Sequence, residues 1–142
     1  MFSDSQIDRS TIQAYLETEY RVLADKPFVL KIDVASPNLM RLHKKHQVQS
    51  SAFITAYNPL SESIDFAINQ SHQSNLAHEL KFRSLAFVDG IGQHLSNLWP
   101  GEPSFLVFGI SREAAKALGL LYAQNAIVWC GFDATPQLVL LR

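Results

Sequence analysis

Apolar residues fall in short, differently spaced runs along the chain, and their spacing separates strands from helices. Phe28-Val29-Leu30-Lys31-Ile32-Asp33-Val34 passes from continuous to alternating apolar character, as a strand covered better at one end does. Ala52-Phe53-Ile54-Thr55-Ala56-Tyr57-Asn58-Pro59 is an apolar run that stops in polar residues, which predicts a strand over 51–57. Pro59 holds Asn58 out of the helical region and closes that strand in an extended turn. Ser104–Ile110, 126–130 and 137–141 read as three further strands. The last two are joined by a Gly131–Pro136 loop in a hairpin.

Helical spacing occupies the intervals. Ser10 with Gln13 three positions on has the form of a capping box, and predicts a helix over 10–18 with Ile12, Tyr15 and Leu16 on one face. Ser36-Pro37 supplies an N-cap followed by a proline at the first helical position, so a helix is expected over 37–46. A long helix follows Pro59 and runs to about residue 81, with Ile68, His72, Leu76 and Leu80 as its packing stripe. Asn69, Gln70, Gln73 and Ser74 are assigned to its other faces. Ser111 caps a helix over 112–122 that packs through Ala114, Ala115, Leu118 and Leu121. Residues 83–103, rich in Gly and Pro, read as the longest irregular connection, with a short strand at Leu85–Val88.

Together these elements predict an α/β or α+β fold: one domain over 1–142, with residues 1–9 as a flexible N-terminal segment. A mixed sheet of about five strands carries helices packed on it and ends in the hairpin. Composition agrees: 47% of residues are hydrophobic and 18% charged, enough apolar material to build a core and too little charge for a disordered chain. The 12 Lys and Arg against 13 Asp and Glu leave a net charge of −1. No global field therefore draws the chain onto nucleic acid or anionic lipid. The start MFSDSQIDRS has no basic, apolar leader and no run reaches the length of a membrane span, which points to a cytoplasmic protein.

Candidate chemistry gathers at element ends. Thr55 with Asn58, Trp99 with Glu102, and Gln124 with Asn125 form three polar clusters, and Asn69 projects from the long helix. Ligands of open sheets bind where strands give way to loops, because polar groups there are unpaired and accessible. If strands 51–57 and 104–110 run antiparallel, Tyr57 meets Ser104 and the clusters converge. Thr55, Asn58, Asn69, Trp99, Glu102, Gln124 and Asn125 are thus the expected ligand-binding set for a polar small ligand or a protein partner. The competing explanation is that these residues serve only turns and helix ends. Glu102 is the candidate for a catalytic acid or base, and His94 in the same loop is a second candidate base.

Other residues exclude more than they offer. His43 and His46 stand three apart on a basic helix, among Arg41, Lys44 and Lys45; two ligands make no metal site, and the lysines repel a cation. The same cluster is a short basic patch for a nucleic-acid or protein partner. His72 reads as a core histidine, and neighbouring His78 and Glu79 diverge by about 100° on a helix. Cys130, the single cysteine, excludes an intrachain disulfide and reads as a small buried hydrophobe. No G-x-S-x-G elbow is present, and Gly90-Ile91-Gly92 lacks the third glycine of a dinucleotide loop. No cofactor or metal is expected.

Three segments together resemble a bacterial family with a domain of unknown function, DUF3293: FITAYNP at Phe53–Pro59, WPGEPSFLVFGIS at Trp99–Ser111 and QNAIVW at Gln124–Trp129. In that family the long helix often carries an Asn and then an Arg-Asn pair before a Leu. Here Asn69 and Leu76 match the pattern, while His72 and Gln73 replace the pair. The resemblance implies kinship and carries no activity, substrate or catalytic residue with it.

Overall fold

The structure, a computed structural model, describes residues 4–94 and 101–142. Among the described residues seven strands form one sheet: β1 (Glu19–Val22), β2 (Phe28–Leu30), β3 (Ser51–Ile54), β4 (Phe87–Gln93), β5 (Glu102–Phe108), β6 (Ala126–Cys130) and β7 (Pro136–Leu140). Their spatial order is β2-β1-β4-β5-β3-β6-β7, and every neighbouring pair is antiparallel. Four α-helices among the same residues complete an α+β domain: α1 (Arg9–Glu17), α2 (Pro37–Lys45), α3 (Phe66–Phe82) and α4 (Arg112–Leu121).

The sheet is antiparallel throughout, where a mixed one was expected, because each strand-helix-strand unit leaves an odd number of strands between the two it joins. β3 and β4, linked through α3, point the same way but enclose β5; β5 and β6, linked through α4, enclose β3. The intervening strand runs the other way and accepts both ladders. This places α3 and α4 on one face, where Leu76, Leu80, Ala115 and Leu118 bury against Ala52, Ile54, Phe105 and Val107. Leu39 of α2 packs on the opposite face with Tyr20, Phe53, Leu106 and Phe108.

Local signals placed α2 and α4 well. Ser36 Oγ accepts from Leu39 N at 3.1 Å and Ser111 Oγ from Ala114 N at 3.1 Å, satisfying donors that a helix leaves free at its first turn. The expected capping box at Ser10 does not form: α1 begins at Arg9, and Gln13 reaches forward to Glu17 Oε1 at 2.9 Å. β1 had no strand signal, since Glu19-Tyr20-Arg21-Val22 offers only two apolar positions. Both are buried. The strand expected over 28–34 ends at Leu30, and that expected over 51–57 leaves the ladder after Ile54.

Three further expectations change. Most of the described part of the supposed connection 83–103 is sheet: β4 runs through Gly90 and Gly92 to Gln93, and β5 starts at Glu102. Gly90 serves close packing, because a Cβ there would lie 2.6 Å from Phe53 Cε2. Pro59–Ser61 form a 3₁₀ turn, and α3 starts only at Phe66, where Asp65 Oδ1 accepts from Ala67 N at 2.8 Å. On α4, Leu121 is exposed and Gly119 is buried in its place.

Candidate functional site

The segment 55–61 leaves the sheet between β3 and α3, and its backbone groups lose their ladder partners. Side chains from distant elements replace them. Ala56 N donates to Gln73 Oε1 at 2.8 Å, and Thr55 Oγ1 donates to the Pro103 carbonyl at 2.6 Å while accepting from Tyr57 N at 3.0 Å. Gln124 Nε2 donates to the Tyr57 carbonyl at 3.1 Å. Buried backbone groups need such partners, since an orphaned one costs as much as a lost hydrogen bond.

Asn58 is the hub. Its backbone is left-handed, with φ 46° and ψ 65°, a region that asparagine tolerates better than other side-chain-bearing residues. Asn58 N donates to Asn69 Oδ1 at 2.8 Å, and Asn69 Nδ2 returns a bond to Asn58 Oδ1 at 2.8 Å. The remaining amide nitrogen, Asn58 Nδ2, donates to Glu102 Oε2 at 3.0 Å. Burial lifts the Glu102 carboxyl above its usual range, and the Asn58 bond opposes that by favouring the charged form. Farther along, Asn125 Nδ2 meets Ser61 Oγ at 3.1 Å and the Tyr15 hydroxyl at 3.2 Å, while its Oδ1 accepts from Arg142 Nη1 at 3.0 Å.

Six of the seven residues expected at a ligand site therefore touch the 55–61 segment or belong to it. The seventh, Trp99, lies outside the described residues. The antiparallel register that brings them together is the one that pairs Ile54 with Phe105. Most of their hydrogen-bonding capacity is spent inside the chain.

Beside this network lies a groove of about 770 Å³ between α3 and the sheet. Ala67, Ser71, Ser74 and Ala77 leave it open on the helix side, because small side chains at these spacings do not fill the gap to the strands. Leu23, Asp89, Ile91 and Pro103 line the sheet side, and Tyr57, Gln73, Ser104 and Phe105 are its buried lining. None of the six described candidates is in that lining. Gln73 joins the two features: Oε1 is held by Ala56 N, while Nε2 is buried with no partner among the described residues.

Sequence spacing assigned Asn69 and Gln73 to the outer faces of α3, whereas both are buried and Ile68 is 50% exposed. Residues 69, 73, 76 and 80 are as good a helical stripe as 68, 72, 76 and 80, and only polarity argued against it. The histidines also separate. His43 is buried and its Nε2 lies 2.8 Å from Ser51 Oγ; burial lowers its pKa. His46 stacks on Phe108 with ring centroids 4.0 Å apart. His94, expected beside Glu102, meets Glu17 Oε2 at 3.1 Å. His72 is only half-buried, so it is no core histidine. Among the described residues no group of three or more His, Cys, Asp or Glu converges as metal ligands, and no helix is long and apolar enough to cross a membrane.

A family model described as Protein of unknown function (DUF3293) matches residues 54–127, just over half of the chain. The chain belongs to the DUF3293 family. The matched span includes all seven expected site positions and the whole of α3. Among curated proteins and among solved structures, nothing matches the chain.

Proposed function

We propose that this DUF3293 protein is a binding domain that takes a polar small ligand in the groove between α3 and the sheet. The amide network of Thr55, Asn58, Asn69, Glu102, Gln124 and Asn125 acts as its rigid backing. The observation that carries this reading is Gln73, whose Oε1 is held by the chain while its Nε2, in a residue lining the groove, has no partner among the described residues. A buried polar group without a partner is uncommon and costly, and a ligand acceptor would satisfy it.

A thermal-shift screen of metabolites tests the proposal, because a ligand that binds only the folded form stabilises it by about 2.7 kcal/mol at a hundred times its Kd. Ser74→Phe fills the groove from an exposed position on α3 and is expected to abolish the shift of any hit. A hit that stabilises the Phe variant as strongly as the parent chain removes the groove from consideration.

One observation favours a second reading, an enzyme with Glu102 as its acid or base. A carboxyl raised by burial and held by a neighbouring amide keeps its proton to a higher pH than an ordinary carboxyl, as an acid or base group does. This reading predicts a turnover that Glu102→Gln abolishes while ligand binding persists.

A further inference from the structure

Resting on the groove reading above, we propose that the groove's ligand is a cation, a primary amine or guanidinium, that also carries a neutral oxygen acceptor such as an amide carbonyl. The cation sits at Asp89 against Phe105, and the acceptor oxygen takes the hydrogen bond that Gln73 Nε2 has to give.

Charge sets the first half of this assignment. Among the described residues Asp89 is the only ionisable acid or base in the groove lining, apart from the tyrosine hydroxyl of Tyr57. It is exposed and forms no ion pair among the described residues. The nearest cation by register is Arg21, opposite Ile91, and its guanidinium is engaged by Glu19 Oε1 at 2.9 Å. An anionic ligand would thus meet a carboxylate with no counter-charge among the described residues of the lining. Asp89 also pairs in register with Phe105, which puts their Cβ atoms about 5 Å apart on one face. A carboxylate beside an aromatic ring attracts a cation twice, through charge and through the ring's negative face.

The second half follows from the fixed orientation of Gln73. Ala56 N occupies Oε1 at 2.8 Å, with Thr55 Oγ1 near it at 3.5 Å, so a flipped amide would set nitrogen against a backbone donor. Nε2 is therefore the buried group left without a partner among the described residues, and its N–H selects an oxygen acceptor. The Tyr57 hydroxyl, with no hydrogen bond among the described residues, offers a further polar contact in the same lining.

Titration of the whole chain followed by amide NMR tests the assignment, with four probes: argininamide, which has both features; agmatine, a cation without the carbonyl; acetylglycinamide, neutral; and succinamate, anionic. Argininamide is expected to shift the Ser71, Ser74 and Ile91 amide signals saturably and to bind more tightly than the other three. Asp89→Asn, at an exposed position, should weaken it about tenfold. If the Asn variant binds argininamide unchanged, or if the neutral or anionic probe binds as tightly, the cation assignment is wrong and the groove stands. Agmatine binding as tightly as argininamide overturns the acceptor. If none of the four shifts the groove signals saturably up to about 10 mM, the ligand class and the groove fall together.

Discussion

Asn58 shows how one side chain can set the geometry of a whole segment. Its left-handed backbone costs a residue with a Cβ about 1–2 kcal/mol, and its amide then joins Asn69 and Glu102. Both Asn58→Gly and Asn58→Ala lose the amide bonds, but only Ala retains the backbone strain. Urea denaturation should therefore find the Ala variant less stable than the Gly variant by about 1 kcal/mol. Equal stabilities would mean that the turn relaxes once the amide is gone. Glu102 gives a prediction with a sign in pH. Its folded pKa is raised above the ordinary 4.5, so its contribution is most favourable when protonated and is lost as pH rises through the raised value. Glu102→Gln keeps an acceptor for Asn58 and carries no charge. It is expected to raise the melting temperature at pH 7, with the gain shrinking as pH falls through 4.5. A variant that melts below the parent at pH 7 would show that the carboxylate is stabilised by something beyond Asn58.

At the scale of elements, α3 is the member whose reading changed most. Its apolar residues alone are compatible with two adjacent stripes, and tertiary contact chose the one containing Asn69 and Gln73 because the backbone at 56 and 58 needed acceptors. Gln73→Leu accordingly makes a buried position more apolar and still destabilises the fold. The orphaned Ala56 N–H should cost about 1–3 kcal/mol in chemical denaturation, whereas Gln73→Glu, which keeps an acceptor, should lose less. The caps at Ser36 and Ser111 were legible because a cap is a contact between residues three apart. β1 and the full length of β4 were not, since Tyr20 and Val22 are buried by strands far along the chain and the glycines of β4 resemble loop residues.

The molecule as a whole is a three-layer arrangement with α3 and α4 on one face of the sheet and α2 on the other, and its protection is global. Cys130 is fully buried, and burial pushes its thiol up to about 12, so no thiolate is available to a reagent in the native state. Thiol labelling at pH 8 should then proceed only through unfolding and slow in parallel with added stability; labelling faster than unfolding would reveal a local opening of β6. The antiparallel sheet, the gathering of Thr55, Asn58, Asn69, Glu102, Gln124 and Asn125 around one segment, and the groove beside them are likewise properties of the assembled layers. The sequence by itself determined the helix starts at α2 and α4, the terminal hairpin, the buried state of Cys130 and the kinship to DUF3293, because each depends on neighbouring residues or on the order of residues alone. Only the tertiary structure decided that β5 lies between β3 and β4, that polar residues of α3 face inward, and that Gln73 is left with a donor to give. Those outcomes turn on which unpaired backbone groups meet which side chains across the fold, and no local spacing encodes such meetings.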